Sequence, residues 1–230
     1  MRYYLCSSLV DYSKMELHNE YHWVEDLLEH VKFPCHALLV ASSPDEIEKT
    51  RKYAQEIVDV MENHGLCLSG FDILDRNSAE RTKELVDKAD IIIAMGGHVP
   101  TQNSFFQEID LKKHLQEFRG IWIGSSAGSM NSATLVYAQP ELEGEVIDPA
   151  YQRFVPGLGL TDKMILPHYS SWKNEVVDGF RLLDDITYPD SQGHTFYLME
   201  DGSYVLGDTE EKKEEVIGNY YVLRDGVIVQ

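Results

Sequence analysis

The sequence predicts an α/β fold in which a mostly parallel sheet carries helices on both of its faces. Short apolar runs alternate with longer runs whose apolar residues recur at helical spacing, from the start of the chain to about residue 133. This alternation is typical of a parallel sheet, because parallel neighbours need a crossover that is usually a helix. Towards the end of the chain the pattern changes to apolar runs separated by turn residues, which indicates antiparallel strands.

The first elements follow from apolar spacing and helix signals. Residues 3–10 are too short and too polar for a secretory signal, and we interpret them as a first strand. Residues 21–31 keep helical spacing and predict a short amphipathic helix. The unbroken apolar run at 36–41 predicts a strand buried on both faces. A Ser-Ser-Pro-Asp sequence then opens a helix over 46–63, which Gly65 ends.

The next segments repeat the alternation and lead into a glycine-rich turn. The predicted elements are a strand at 71–74, a helix at 78–88, a strand at 90–95, a helix at 102–117, a strand at 119–123 and a helix that opens at 127. Beyond this helix the alternation weakens, and residues 164–166 form one brief strand. Asp201 and Asp225 each precede a glycine between apolar segments, which predicts two hairpin turns. The charged run at 210–215 predicts a solvated turn.

Length and charge limit the classes of function. With 230 residues and neither repeats nor low-complexity linkers, the chain predicts a single domain over residues 1–230. Its 39 acidic and 20 basic residues give a net charge of −19, which argues against nucleic acid or an anionic membrane as a partner. No segment approaches the length of a membrane span. Three distant cysteines without metal-type spacing indicate reduced thiols, so we expect a cytoplasmic protein that needs no metal or organic cofactor.

A Gly-Ser-Ser-Ala-Gly sequence at residues 124–128 joins a predicted strand to a predicted helix. Gly-x-Ser-x-Gly in this position is typical of a nucleophile elbow, a tight turn that lifts its central serine toward solvent. Ser126 is therefore the candidate nucleophile, and the backbone N–H of Ala127 would point to a developing oxyanion. The alternative is a turn of small residues without chemistry.

A serine nucleophile needs a base, and His168 is the best placed of the nine histidines. It comes after the apolar strand at 164–166 and Pro167, so it should emerge at the carboxyl end of a strand. α/β proteins place their sites at that edge of the sheet. The alternative is that Pro167 and His168 merely end the strand.

Two glycines, Gly96 and Gly97, end the strand predicted at 90–95. Glycines there allow a ligand to approach the backbone closely, and a free N–H would provide a second oxyanion donor. The alternative is a phosphate-binding turn. The flanking residues, however, fit neither the dinucleotide-binding glycine pattern nor a P-loop, and Pro100 lacks an N–H that a phosphate would use.

Three segments together resemble the dipeptidase E and cyanophycinase family of serine peptidases. The segments are Ile-Ile-Ala-Met-Gly-Gly at 92–97, Ile-Trp-Ile-Gly-Ser-Ser-Ala-Gly at 121–128 and Leu-Pro-His-Tyr at 166–169. The resemblance runs from about residue 37 to residue 207. It implies a fold like that of class I glutamine amidotransferases, a pair formed by Ser126 and His168, and oxyanion N–H groups from Gly97 and Ala127. Amidotransferase activity itself is disfavoured, because that chemistry uses a cysteine at the elbow.

The chain departs from the family pattern beside the predicted site. Met95 and His98 stand where the family usually has a third glycine and then Asn or Asp, and Ser125 stands where a bulky residue is frequent. These departures bear on specificity, and His98 is a candidate substrate-binding residue. Some members prefer an amino-terminal aspartate, which needs a cation. Arg181, expected on a helix after His168, is the candidate cation, and the alternative is a solvated arginine.

Two regions offer a carboxylate that would orient His168. Asp201 resembles the family segment in which an acid precedes glycine after a buried strand, and a strand end would hold the imidazole rigidly. Glu143 lies in an acidic loop, five residues before Asp148, where relatives also carry an acid. Asp201 is favoured, and Glu143 is the alternative.

These residues predict a serine-type peptidase that hydrolyses a short peptide or another small amide, with a dipeptidase as one form. Ser126 would attack the carbonyl, and His168 would take its proton. Two alternatives stay open. One is an esterase or amidase acting on a small non-peptide acyl compound, and the other is an inactive binding protein on the same scaffold. A homo-oligomer is also left open.

Overall fold

The computed structural model describes residues 1–229. The strands are, in chain order, β1 (Arg2–Cys6), β2 (Val10–Asp11), β3 (Glu16–Leu17), β4 (Cys35–Val40), β5 (Leu68–Leu74), β6 (Ile91–Ala94), β7 (Ile121–Ser125), β8 (Leu135–Tyr137), β9 (Phe154–Pro156), β10 (Met164–Leu166), β11 (Val176–Val177), β12 (Phe180–Arg181), β13 (Thr195–Met199), β14 (Tyr204–Asp208), β15 (Lys213–Ile217), β16 (Tyr220–Arg224) and β17 (Val227–Ile228).

The α-helices are α1 (Trp23–His30), α2 (Ile47–Asn63), α3 (Thr82–Lys88), α4 (Val99–Glu108), α5 (Leu111–Leu115), α6 (Ala127–Met130), α7 (Tyr169–Trp172) and α8 (Tyr188–Asp190). A 3₁₀ turn at Ala79–Arg81 precedes α3, and a π-helical turn at Leu182–Thr187 precedes α8. Among residues 1–229, no helix combines the length and the apolar character that crossing a bilayer requires.

Seven strands form the main sheet, in the spatial order β15-β14-β1-β7-β6-β4-β5. The strands β1, β7, β6, β4 and β5 run parallel to one another. β14 pairs antiparallel with β1, and β15 pairs antiparallel with β14. The prediction of a mostly parallel sheet with antiparallel strands from the end of the chain is confirmed.

Helices cover both faces of the parallel strands. On one face Tyr4, Leu39 and Ile93 pack with residues of α1 and α2. On the other face Leu38 and Trp122 pack with residues of α3, α4 and α5. All five of these strand residues are fully buried. This burial explains the unbroken apolar runs in the sequence. Successive side chains of a strand point to opposite faces of the sheet, and each face packs against a layer of helices.

A second sheet of four strands has the order β10-β13-β16-β17. β10 and β13 are parallel, with Leu166 opposite Leu198, so their carboxyl ends lie side by side. The turn at Asp201 connects β13 of this sheet to β14 of the main sheet. The hairpin predicted at Asp201 is therefore wrong, because the two flanking strands pair with different partners. The turn at Asp225 does close a hairpin, between β16 and β17.

Four other segments differ from the sequence-based expectations. The first strand, predicted over residues 3–10, ends at Cys6, and residues 10–11 form β2, which pairs with β3 in a separate two-stranded sheet. The helix predicted over 102–117 is divided into α4 and α5, because Asp110 adopts a left-handed conformation with φ of 51° that interrupts the helical hydrogen bonds. Arg181 lies in β12 and not on a helix. The charged run at 210–215 enters β15 instead of being wholly a turn.

We expect truncation of the buried sheet to destabilise the fold strongly. Leu39 is fully buried in β4, so Leu39→Ala should lower the free energy of unfolding by about 2–5 kcal/mol. Leu142, which is 53% exposed, provides the matched control. Leu142→Ala should stay within about 0.5 kcal/mol of the wild type. Urea unfolding followed by circular dichroism measures both, and equal losses would contradict the assigned core.

Candidate active site

Ser126 occupies the sharp turn between β7 and α6. Its backbone has φ of 50° and ψ of −113°, which is strained for a residue that carries a side chain. The two glycines of the motif permit this turn. A Cβ at Gly128 would collide with the carbonyl oxygen of Ala94, and one at Gly124 would press on the backbone of Ser129. The motif therefore needs glycine at both positions for close packing of α6 against the sheet.

The other two serines of the turn have structural contacts. Ser125 is 9% exposed, and its hydroxyl accepts a hydrogen bond from the backbone N–H of Leu9 at 3.2 Å. Ser129 is fully buried and donates to the carbonyl of Cys6 at 2.7 Å. The hydroxyl of Ser126 differs from both, because its hydrogen-bond partner is a nitrogen of His168.

His168 follows β10 and Pro167 and reaches Ser126 from the second sheet. Its Nε2 lies 2.9 Å from Ser126 Oγ, and its Nδ1 lies 2.6 Å from Asp201 Oδ1. The tautomer that satisfies both contacts has the proton on Nδ1, donated to Asp201, and leaves Nε2 free to accept from Ser126. The arrangement can therefore take a proton from the serine and stabilise the charge that results.

Asp201 reaches His168 because β10 and β13 end side by side. Partial burial would raise the pKa of Asp201, but the hydrogen bond and charge of His168, with a hydrogen bond from Ser7, hold this pKa below its usual value. The carboxylate is thus ionised at neutral pH. Glu143 is exposed and has no hydrogen bond or ion pair from its side chain within residues 1–229.

The turn after β6 lies directly beside the serine. A Cβ built on Gly96 would be 3.2 Å from Ser126 Cβ, and one on Gly97 would collide with the Ser42 side chain. The Ser42 hydroxyl donates to the Gly96 carbonyl at 2.6 Å and holds the turn in place. Within residues 1–229, the backbone N–H groups of Gly97 and Ala127 have no acceptor. Both are thus available to an oxyanion at this place in the fold.

His98 links this turn to the acidic loop. Its Nδ1 lies 2.7 Å from Thr101 Oγ1, and its Nε2 lies 2.7 Å from Glu145 Oε1. The other carboxylate oxygen of Glu145 accepts from the backbone N–H groups of Glu141 and Leu142, at 2.8 and 3.0 Å. Both ring nitrogens of His98 are therefore occupied by protein contacts. A direct role of His98 in binding substrate stays a prediction.

A second connection holds the acidic loop from the other side. The Asp178 carboxylate, in the turn between β11 and β12, accepts from the backbone N–H groups of Gly144 at 2.8 Å and Val146 at 3.0 Å. The loop is thus held at Glu141 by Glu145 and at Gly144 and Val146 by Asp178, and four residues lie between Glu141 and Val146. The loop has a defined position although it carries no regular secondary structure.

Arg181 is engaged by neighbouring acids. Its guanidinium binds Asp184 and Asp185, each at 2.8 Å, and its side chain is 62% exposed. Each of these contacts is within four residues along the chain, so the positive charge is compensated locally. A role for Arg181 in binding an acidic substrate stays a prediction, and these ion pairs give it no support.

Glu141 is the acid with the most altered protonation near the site. Surrounding protein, followed by the charge of Glu145, raises its pKa to about 7, while the positive charge of His168 acts to lower it. The Glu141 side chain is exposed to solvent and is not sealed in the core. Within residues 1–229 its carboxylate has no ion-pair partner. The charges of Glu141 and His168 therefore influence each other.

The site contains polar residues that sequence patterns did not indicate. Ser42 supports the glycine turn, and Glu145 joins that turn to the acidic loop. Ser42 does lie just beyond β4, at the same carboxyl edge that singled out His168. Position at that edge was therefore a usable signal for Ser42. Glu145 had no comparable signal, because its neighbours in the loop are also acidic.

The sequence matches the model of peptidase family S51 over residues 38–214. The chain belongs to peptidase family S51. This is the dipeptidase E family, so the resemblance seen in the sequence is confirmed, and the protein is a serine hydrolase of the peptidase type. A comparison with curated proteins finds no match.

Two solved structures share the fold of this S51 peptidase. A peptidase from an acI-B1 actinobacterium is 18% identical, with a TM-score of 0.69, and the match covers 97% of this chain and 91% of that one. A putative peptidase E protein from Listeria monocytogenes EGD-e is 16% identical, with a TM-score of 0.61, covering 94% of this chain and 98% of that one. At these identities the likeness establishes the fold alone.

Removing the carboxylate that faces His168 tests the geometry of the site. Asp201→Asn should lower kcat by about 10⁴-fold with little change in KM, because the imidazole loses its orientation and its counter-charge. Glu143→Gln, a matched loss of one carboxylate, should leave kcat close to the wild-type value. Steady-state kinetics on a peptide selected from a library measures both. The reverse ranking would move the orienting role to the acidic loop.

Proposed function

We propose that this S51 peptidase hydrolyses short peptides, dipeptides among them, by covalent catalysis at Ser126. The observation that carries the proposal is the unbroken hydrogen-bond chain from Ser126 Oγ through His168 to Asp201, with distances of 2.9 and 2.6 Å. These contacts support the roles of Ser126 as nucleophile, His168 as base and Asp201 as orienting acid. The elbow supports the same role, since it isolates one serine hydroxyl from structural contacts.

In the acylation half-reaction, Ser126 Oγ attacks the carbonyl carbon of the scissile bond while His168 Nε2 takes the hydroxyl proton. Asp201 accepts the Nδ1–H bond and stabilises the imidazolium. The negative charge that develops on the carbonyl oxygen is received by the N–H groups of Gly97 and Ala127. Collapse of this intermediate breaks the C–N bond, and His168 returns its proton to the leaving amine.

Deacylation repeats these steps with water in place of the serine. His168 Nε2 removes a proton from water as the water oxygen attacks the acyl carbon. The same two N–H groups hold the second oxyanion. The C–O bond to Ser126 then breaks, and the serine oxygen regains its proton from His168. No group beyond the side chains and N–H groups named here enters this sequence.

The charges around the triad favour a neutral or cationic substrate over an acidic one. Glu141 adds a negative charge near His168 as the pH rises through about 7, and Glu145 lies next to it. The candidate cation, Arg181, is occupied by two acids. A net charge of −19 acts in the same direction at longer range. We therefore do not expect the preference for amino-terminal aspartate that some relatives have.

The first test is the reactivity of Ser126. A fluorophosphonate probe should label the wild-type protein at Ser126, because only an activated serine displaces its fluoride readily. Ser126→Ala should abolish labelling and lower kcat by at least about 10⁴-fold while the fold is retained. Ser125→Ala and Ser129→Ala are the matched controls, and both should still label. Peptide mapping by mass spectrometry identifies the labelled residue.

The outcome also separates the alternatives. A wild-type protein that does not label would favour an inactive binding protein on this scaffold. A labelled protein that cleaves small esters or non-peptide amides but no member of a peptide library would favour an esterase or amidase. Turnover of peptides by the Ser126→Ala variant at the wild-type rate would contradict the proposed nucleophile.

The role of Glu141 predicts a pH-dependent substrate preference. Glu141 is neutral below pH 7 and ionised above it, so a lysine-containing dipeptide should gain over its norleucine counterpart as the pH rises from 6 to 8. The ratio of the two kcat/KM values should increase about three- to fourfold between pH 6 and 8, because an ion pair of ~1 kcal/mol at a solvent-accessible site gives about fivefold only for complete ionisation of Glu141. Glu141→Gln should abolish the increase.

Glu143→Gln is the control, because it removes an equal charge from the same loop but further along it. This variant should keep the wild-type increase. A ratio that does not change between pH 6 and 8 in the wild type would contradict the role of Glu141.

A further inference from the structure

We propose that Ser7 is a positioning residue of the triad, whose hydroxyl holds the Asp201 carboxylate and the His168 backbone in register. The proposal rests on the proposed function and adds a fourth side chain to it. Ser7 lies in no sequence motif. It is recognised from the contacts of its side chain alone.

Ser7 lies where the two sheets meet. It follows β1 directly and is fully buried. The last residue of β1, Cys6, is opposite Ser125 of β7 on one side and Tyr204 of β14 on the other. The backbone N–H of Ser7 donates to the Ser203 carbonyl at 2.9 Å, which fixes its main chain. Its side chain is thus anchored on the main sheet and faces two residues that follow strands of the second sheet.

The Ser7 hydroxyl contacts both triad members from that second sheet. It donates to Asp201 Oδ1 at 3.0 Å and accepts from the backbone N–H of His168 at 2.9 Å. The Met199 carbonyl, at 3.3 Å, is a second and longer acceptor. A hydroxyl has one proton, so the charged and nearer acceptor, Asp201, is the favoured one. One oxygen atom therefore connects the carboxylate to the backbone of the base.

These contacts restrain the side-chain torsion of Asp201 and the backbone conformation of His168, and the alignment of the triad depends on both. The final torsion of an aspartate is soft, and Asp201 Oδ1 is fixed by two donors, His168 Nδ1 and Ser7 Oγ. His168 has φ of 57° and ψ of 34°, a left-handed conformation that is unfavourable for a residue with a Cβ. The hydrogen bond to its N–H helps to hold it there. Without Ser7, the carboxylate would turn and the imidazole would lose its alignment with Ser126.

The experiment measures the rate of fluorophosphonate labelling, which needs no knowledge of the natural substrate. In this step Ser126 Oγ bonds to phosphorus, fluoride leaves, and the serine proton goes to His168. Ser7→Ala should lower the maximal labelling rate by about 10- to 100-fold and leave the half-saturating probe concentration unchanged. Ser7→Thr, which keeps the hydroxyl, should recover most of the rate. Ser7→Cys keeps the bulk with a weak donor and should resemble Ser7→Ala.

Two further comparisons separate positioning from simple stabilisation. Ser203 is also buried, and its hydroxyl donates to the Asn219 carbonyl at 2.8 Å. Ser203→Ala should lower the Tm about as much as Ser7→Ala and leave the labelling rate unchanged. In an Asp201→Ala background, the Ser7→Ala substitution should cost less than about threefold, because the orientation it supports is already lost.

The outcomes distinguish this inference from the proposed function. A wild-type protein that does not label overturns both. If the wild type is labelled and the Ser7→Ala and Ser7→Cys variants react as fast as the wild type, the role of Ser7 alone is overturned. If the Ser7→Ala variant does not fold, the labelling rate of Ser7→Cys relative to the wild type tests the role of Ser7. Full additivity of Ser7→Ala with Asp201→Ala also overturns the role, because it would show that the two residues act independently.

Discussion

The carbonyl group of Cys6, at the end of β1, is the acceptor on which the site is built. It accepts hydrogen bonds from the backbone N–H of Ser126 at 3.1 Å and from the hydroxyl of Ser129 at 2.7 Å, so it holds the central residue of the elbow and the residue that follows the elbow. The next residue, Ser7, contacts His168 and Asp201. A strained turn persists only where its surroundings hold it. Cys6, at the end of β1, holds the turn at Ser126, and Ser7, directly after β1, holds the strained backbone of His168. Ser126, His168 and Asp201 are thus all held in place through the end of β1.

The electrostatic design of the site is local and not a consequence of net charge. Asp201 stays ionised because a histidine and a serine compensate its partial burial. The pKa of Glu141 is raised, first by the surrounding protein and then by the charge of Glu145. The pKa values of these two carboxylates, which both interact with His168, therefore shift in opposite directions. Asp201 is kept ionised, and Glu141 keeps its proton to a higher pH.

Local sequence patterns predicted the parts of the molecule that depend on neighbours in the chain. The buried strands, the elbow and the strand-end position of His168 all follow from periodicity and from residue types within a few positions. Pairing between distant strands does not. The turn at Asp201 has the composition of a hairpin, yet its strands belong to different sheets, and this separation brings Asp201 to His168. Turn chemistry specifies the bend and leaves the partner strands unspecified.

The residues that sequence patterns did not indicate share one property. Ser42 and Ser7 are small polar side chains that act through contacts between segments far apart in the chain. Serine is common at strand ends for many reasons, so its presence has little predictive value there. Arg181 is the converse case. Its charge suggested a ligand, but acids three and four residues away occupy it.

The division of the proposed triad between two sheets has a consequence for how the enzyme would lose activity. Ser126 follows β7 of the main sheet, whereas His168 and Asp201 follow β10 and β13 of the smaller one. A small sheet with short strands can open at a lower free energy than the whole molecule. If the smaller sheet moves away from β1 and β7, the base leaves the serine while most of the core remains intact. The protein would then lose activity under mild denaturing conditions at which its spectroscopic signature is still that of the folded state.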